Sequence, residues 1–254
     1  SNTAPGSSPL VTLPYFTFTN TYRTDWRDAS MNLWNLGLLA KGKVAGLGYT
    51  ATADFQFGKA KNLLLAQNQY YDVKFRGYGV TLGVNYKLDP VTIRAKFVYG
   101  SGDNNLADNK IKTFQTFVGN VIDPNLPTIV YNWRVMSAAG GQGTGISNTT
   151  AYNLGITASL MKDLTAHLDY YLLRASKRIA GLSSVTLGGI GTSKKIGSEL
   201  DLKLSYKIAR NLTYSVNAGV LFADDFYRYQ YANIDVILEP KNAVTLQHQI
   251  VLSF

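Results

Sequence analysis

The chain has 254 residues, 46% of them hydrophobic, and a formal net charge of +9. It contains no run of about eighteen apolar residues, so no membrane-spanning helix is predicted. Cysteine is absent, which excludes disulfide and thiolate-metal frameworks and little else. Moderate hydrophobicity fits a soluble protein and also a transmembrane β-barrel, because only every second residue of a barrel strand meets lipid.

The basic excess indicates anionic partners. It predicts attraction to outer-membrane lipid headgroups and lipopolysaccharide phosphate, or a pore whose field favours small anionic solutes. Nucleic acid is not a predicted partner, because no clustered basic helix or known nucleic-acid motif occurs. Residues 1–9 predict a flexible lead-in without the apolar core of a signal peptide, so we expect a mature or truncated chain.

Alternation of apolar and polar residues then begins. It predicts strands at residues 10–23, 31–41 and 47–57, with a turn at 41–43 and a loop at 58–69. In the last of these strands Asp54 faces inward. Period two over about ten residues is typical of tilted strands that cross a membrane.

Residues 71–88 predict a long strand with a conflict of phase. Lys74 and Arg76 share a parity with apolar residues further along, such as Leu82 and Val84. A bulge near Gly77 or Gly79 would reconcile them. Alternatively, the upper part of the strand stands clear of the membrane.

Residues 100–148 are too long for an ordinary hairpin loop and have an apolar, aromatic middle. Such a loop could fold inward as a constriction or plug, fold outward as a cap, or form an extra hairpin around residues 124–127. We rank the inward or capping loop first.

The remaining strands are predicted at residues 91–99, 149–160, 164–172, 195–207, 212–222 and 244–254. Short links alternate with long ones, as the periplasmic turns and extracellular loops of outer-membrane barrels do. The predicted fold is therefore all-β, an antiparallel transmembrane barrel of about ten strands over residues 10–254. It is expected in the bacterial outer membrane.

Two stretches resemble the alginate-export family of outer-membrane proteins. One comprises residues 53–60 (ADFQFGKA) and 76–103 (RGYGVTLGVNYKLDPVTIRAKFVYGSGD), and the other is residues 196–226. The second has the family's Glu-x-Asp in the lumen and a strand that ends in Phe-x-x-Asp-Phe. The residues that fill those places are Glu199, Asp201, Phe222 and Phe226.

This resemblance implies an outer-membrane pore, in the best-known member an exporter of an anionic polysaccharide with a basic lumen. Members of that family are larger barrels, and this chain matches the C-terminal part. Either it forms a smaller barrel or it is one part of a larger one.

The candidate selectivity residues are charged side chains at predicted inward positions. The basic ones are Arg94, Lys96, Lys74, Arg76 and Lys203. The acidic ones that could face them are Asp54, Asp169, Glu199 and Asp201. They predict either a selectivity zone with opposed rows of charge or a ladder of salt bridges that fills a narrow interior.

Catalysis is not predicted. Of the two histidines, His167 faces inward near Asp169 and His248 faces lipid, and no serine is placed beside either by spacing. No metal or cofactor motif occurs, and no cofactor is expected. The sequence predicts a passive channel for small or anionic solutes, including acidic saccharides. The alternative is a narrow, plugged barrel that acts as a structural, adhesive or partner-binding scaffold, its protein partner contacting the 100–148 loop.

Overall fold

The structure, a computed structural model, describes residues 30–65, 69–105, 108–116, 126–131, 145–178, 193–230 and 237–253. No helix among these residues has the length and hydropathy to cross a membrane. The strands are β1 (Ser30–Val44), β2 (Leu47–Leu65), β3 (Gln69–Phe75), β4 (Tyr78–Leu88), β5 (Val91–Gly100), β6 (Lys110–Ile111), β7 (Thr149–Met161), β8 (Leu164–Ala175), β9 (Lys195–Ala209), β10 (Leu212–Ala223), β11 (Tyr229–Gln230), β12 (Ile237–Leu238) and β13 (Ala243–Leu252).

The long strands form one antiparallel sheet in the order β1-β2-β4-β5-β7-β8-β9-β10-β13. β3 pairs with the last part of β2, and the short β6 pairs in parallel with β3. β1 and β13 are the sheet edges and run in the same direction. Antiparallel closure therefore requires an odd number of further strands between them. The sequence predicts one at residues 10–23, which lies outside the described residues.

Tight turns connect the strands at one end of the sheet. The β1–β2 hairpin turns at Ala45 and Gly46, whose φ angles of 48° and 83° suit the twist of the flanking strands. β1 continues to Val44, so the predicted turn at 41–43 is misplaced. The turns after β4, β7 and β9 lie as predicted. We call this the lower end, which is periplasmic by its short turns, and the opposite end the upper end.

The two faces of the sheet differ because side chains alternate along every strand. The outer face exposes large apolar side chains from β7 to β13, such as Leu154 at 58% and Leu246 at 75% exposure. The inner face carries glycine, threonine and charged residues, and the described pieces of the 101–148 segment lie against it. This arrangement confirms the alternation predicted for these strands.

β3 and β4 act as one continuous strand along β2. Gly58 pairs with Phe75 and Phe55 pairs with Tyr78, so the same number of residues separates these pairs on both strands. The backbone N–H of Gln56 donates to the carbonyl of Gly77 between them at 2.8 Å. No residue is inserted here, and the predicted bulge near Gly77 or Gly79 is wrong.

The alternation consequently continues without a change of phase. Val73 and Phe75 are buried on the inner face, whereas Lys74 and Arg76 lie on the outer face in line with Tyr78. The residues predicted as a loop at 58–69 instead extend β2 to Leu65 and begin β3 at Gln69. The upper part of this hairpin thus carries charged side chains outward, which favours the alternative that it stands clear of the hydrocarbon.

Candidate functional site on the inner face

Two carboxylates of β9 hold a piece of the long segment against the upper half of the inner face. The backbone N–H groups of Val130 and Tyr131 donate to the two oxygens of Glu199, at 2.6 and 2.8 Å. The N–H of Ile129 donates to Asp201 Oδ2 at 3.0 Å. Glu199 is fully buried. Three consecutive backbone N–H groups thus use both oxygens of Glu199 and one oxygen of Asp201, so this is a firm attachment.

A glycine on the neighbouring strand gives this piece the room that it needs. Gly219 pairs with Asp201 across β9 and β10. A Cβ atom at Gly219 would lie 2.7 Å from Asp201 Oδ1, 2.9 Å from Val130 Cγ2 and 3.1 Å from Ile129 Cβ. Any larger residue at 219 would therefore push residues 129–130 away from the sheet.

A second piece, residues 108–116, is attached to the β2–β4 side of the sheet. The side-chain amide of Gln56 donates to the carbonyl of Gln115 and accepts from its N–H, both at 2.7 Å. The Gln56 side chain thus makes with Gln115 the two hydrogen bonds that the backbone of a neighbouring strand would otherwise make. Ser101 Oγ accepts from the N–H of Tyr78 at 2.8 Å and donates to the carbonyl of Lys112 at 2.6 Å.

A third piece, residues 145–148, reaches the upper end of β8. The side-chain amide of Asn148 accepts from the N–H of Lys177 at 2.9 Å and donates to its carbonyl at 3.2 Å. The Asn148 backbone has a φ of 47°, a conformation that asparagine tolerates better than most residues. The hydroxyls of Tyr131 and Thr149 are 2.7 Å apart, which links the piece held by Glu199 to the start of β7, directly after the third piece.

These pieces and the upper strand ends enclose one apolar core. Its members are Val98, Phe114, Leu126, Val130, Tyr131, Ile146, Ala151, Tyr171, Leu173, Ala175, Ile196 and Leu221. β2 and β9, which hold the pieces through Gln56 and Glu199, are five strand spacings apart in the sheet order. The described parts of the segment therefore follow the inward alternative and fill the upper half of the inner face.

The lower half of the inner face carries an ion pair instead of a core. Arg94 Nη2 donates to both oxygens of Asp169, at 3.0 and 2.8 Å. The side-chain amide of Asn153 donates to the same carboxylate at 3.1 Å. Arg94 and Asp169 lie on β5 and β8 and meet across β7 at Gly155, where a Cβ would be 2.1 Å from Asp169 Oδ1.

Beside this pair lies an open cavity of about 360 Å³. Small and polar side chains line it, among them Thr50, Thr52, Thr81, Asn85 and Lys96. Such a wall leaves space and offers hydrogen bonds to a polar solute.

Lys203 lies on β9 opposite His167 and is exposed on the same face. Within the described residues it forms no ion pair, whereas Arg94 is held by Asp169. His167 Nδ1 is 3.0 Å from Thr157 Oγ1. His248 lies on the outer face, with its ring centroid 6.3 Å from that of Tyr214.

The structure separates the sequence-predicted charges into four groups. Arg94, Lys96, Asp169 and Lys203 lie together in the lower half. Asp54 lies near the edge at β1, where it accepts from Asn35 at 2.9 Å. Glu199 and Asp201 are covered by the docked segment. Lys74 and Arg76 are on the outer face, so their predicted lumen position is wrong; the reason is the uninterrupted β3–β4 register.

Sequence reasoning missed the residues that make these contacts possible. Gln56, Gly155 and Gly219 have no charge and match no catalytic or metal-binding motif. A register predicted outward from the tight turns would have placed Gly155 between Arg94 and Asp169, and Gly219 opposite Asp201. The strand register was therefore the signal in the sequence from which these two glycine positions could have been predicted.

Comparison with known proteins agrees with this architecture. The sequence pattern of the family described as Alginate export matches residues 18–233. No match was found among curated proteins. Similar solved structures include the NanC porin, at 8% identity and a TM-score of 0.36 over 89% of this chain and 97% of that one. They also include in-vitro-folded OmpT, an outer membrane protein of Vibrio cholerae, at 11% identity and 0.36 over 86% and 54%.

Because those two likenesses are distant, the assignment rests on the family match, which covers most of the chain. It confirms the predicted family, the antiparallel outer-membrane barrel class and the outer-membrane location. The chain belongs to the alginate export family and is a channel-forming protein of the bacterial outer membrane.

Proposed function

We infer that this protein is a passive channel for small anionic solutes, with acidic saccharides within its range. The observation that carries the proposal is the unequal charge of the lower inner face. Basic side chains at inner-face positions there are Lys41, Lys43, Lys87, Arg94, Lys96, Lys203 and Lys207. The acidic ones on these strands are Asp54 and Asp169. Arg94 holds Asp169, and Lys87 pairs with Asp89 at the adjacent lower turn, with Nζ 3.6 Å from Oδ1.

The docked segment strengthens this inequality. Glu199 and Asp201 are inner-face carboxylates, and backbone N–H groups cover both of them. Their charge is withdrawn from the solute path, while the lysines nearer the periplasmic end stay exposed. A row of exposed cations along a narrow passage lowers the energy of an anion there and raises that of a cation.

Diffusion through such a channel involves no covalent chemistry. Lys96 and Lys203 would attract the anion, and the threonine and asparagine side chains of the cavity would exchange hydrogen bonds with its water or hydroxyl groups. The docked pieces of the 101–148 segment would set the bore and limit the size of the solute.

Reversal potential in a salt gradient across a planar bilayer tests this proposal. The wild-type protein should prefer chloride over potassium. Lys96→Ala and Lys203→Ala should each move the reversal potential toward zero, because each removes a positive charge from the inner face. Lys177→Ala, at the upper end outside the lower half, is the matched control. A cation preference in the wild type, or equal shifts in all three variants, would contradict it.

A second candidate is the plugged barrel that serves as a scaffold. The upper half favours it, because the described pieces of the segment bury an apolar core against the inner face there. Its protein partner would contact the parts of the 100–148 loop that face outward. Folded protein that gives no conductance, in the wild type or after release of the docked segment, would favour this candidate over the channel.

A further inference from the structure

A row of basic residues crosses the outer face at the upper end of the sheet. Lys59 on β2 pairs directly with Lys74 on β3, and Lys74 pairs with Lys110 on β6. Asn32 on β1 continues the row beside Lys59. Because directly paired residues point to the same face, three ammonium groups share one strip of surface. Arg76 lies two residues from Lys74 and adds a guanidinium.

Four cations on this strip face a smaller number of carboxylates, with Asp72 two residues before Lys74 on the same face of β3. Like charges at directly opposed positions destabilise a sheet. Within the described residues, Lys59, Lys74, Arg76 and Lys110 take part in no ion pair. The nearby carboxylate of Asp108 is bound by Lys112 Nζ at 2.5 Å, and this contact lowers the pKa of Asp108.

An aromatic band lies directly below the strip on the same face. Trp34 pairs with Phe57, and Phe55 pairs with Tyr78. The ring of Tyr78 stacks on that of Tyr99 with centroids 5.6 Å apart. These rings are exposed, Trp34 by 65%. Exposed aromatic rings of a barrel mark the boundary between hydrocarbon and headgroups.

The spacing between band and strip fits a membrane lipid. Lys59 follows Phe57 by two residues and Arg76 precedes Tyr78 by two, so the cations lie about 7 Å above the rings. At the upper end of an outer-membrane barrel that level belongs to the headgroups of the external leaflet. An apolar surface capped by clustered cations matches acyl chains capped by phosphate.

We propose that Lys59, Lys74, Arg76 and Lys110 form a binding site for the phosphate groups of a lipid A-type glycolipid, whose acyl chains lie on the aromatic band. Arg76 suits bidentate contact with phosphate oxygens, and the lysines act as point charges. The bound phosphate adds negative charge to a row in which cations outnumber carboxylates. This site is on the outside of the barrel and does not depend on which solute the channel passes.

The test is binding of fluorescent diphosphoryl lipid A to the detergent-solubilised, folded protein. Lys59→Gln/Lys74→Gln should weaken binding about 25-fold, given the usual contribution of a basic residue near an anionic surface. The control, Lys162→Gln/Arg210→Gln, removes the same charge at the lower turns and should leave the affinity unchanged. Lys59→Arg/Lys74→Arg should bind as the wild type does, which separates charge from folding.

Two competitors distinguish the source of the phosphate. Dephosphorylated lipid A should compete poorly, because the cations then have no partner. Inorganic phosphate should also compete poorly, because it makes no contact with the aromatic band. Equal loss in the test and control variants, full competition by dephosphorylated lipid, or full competition by inorganic phosphate would each overturn the proposal.

Discussion

The upper and lower halves of the inner face use charge in opposite ways. In the upper half, Glu199 and Asp201 accept hydrogen bonds from backbone N–H groups and lie beneath an apolar core. In the lower half, Arg94 and Asp169 neutralise each other beside an open polar cavity, and further lysines remain exposed. The same alternation thus carries a covered, apolar core in one half and an uncovered wall of polar and charged side chains in the other. What differs is whether another part of the chain covers the face.

Weakening the attachment of residues 129–131 should have the largest effect, because it would uncover the upper half of the inner face and leave the lower half unchanged. In Glu199→Gln/Asp201→Asn, amide groups would oppose backbone N–H donors, with a loss of about 2–4 kcal/mol in the free energy that holds the piece. We expect a clear rise in single-channel conductance, because the upper half is uncovered. Asp163→Asn, a carboxylate at the lower turn between β7 and β8, is the control and should conduct as the wild type does. Equal conductance of all three proteins would contradict the account.

Gly219→Val attacks the same attachment by volume instead of charge. Its side chain would occupy the space of Val130 and Ile129, at a cost of about 1–3 kcal/mol. Conductance should rise as in the carboxylate variant, while urea unfolding of the sheet changes little. Gly83→Val is the matched control: its side chain would enter the open cavity, where a Cβ meets nothing nearer than 4.0 Å, and should not raise the conductance. A rise in the control as large as that in Gly219→Val would show that the effect is not specific to docking.

Gln56→Leu tests the second attachment. The variant loses two hydrogen bonds to Gln115 and leaves the buried backbone groups of Gln115 unpaired, at about 1–3 kcal/mol. Limited proteolysis within residues 108–116 should become faster than in the wild type. Gln249→Leu, an exposed inner-face glutamine of β13, is the control. Unchanged proteolysis in Gln56→Leu would mean that the clamp does not hold this piece.

The smallest expected effect lies in the lower half. Gly155→Ala would place a methyl group between Arg94 and Asp169 and separate the pair, at about 1 kcal/mol because both side chains are part-exposed. We expect a shift in ion selectivity with almost no change in conductance. The reversal potential of Gly155→Ala, measured in a salt gradient, tests this effect. Gly48→Ala, which adds the same methyl group at an inner-face glycine of β2 away from the ion pair, is the control in the same gradient. If only conductance changes, the pair sets the bore and not the selectivity.

The sequence predicted the strands from their alternation, and it placed Glu199, Asp201, Arg94 and Asp169 on the correct face. Parity carries that information wherever one face meets lipid. Parity gave the wrong face for Lys74 and Arg76, which were predicted to face the lumen, because above the membrane an outward position can be charged as easily as an inward one. The docking of residues 129–131 depends on contacts between residues about seventy positions apart, and the local alternation of side chains does not predict such contacts.

We propose that residues 129–131, held by Glu199 and Asp201, cover the upper half of the inner face above a lower half that favours anions. The most direct test is the conductance and reversal potential of Glu199→Gln/Asp201→Asn, measured together with those of the wild type in a planar bilayer. The account predicts a larger conductance with the preference for anions retained. An unchanged conductance, or an increase accompanied by a switch to cation preference, would contradict it.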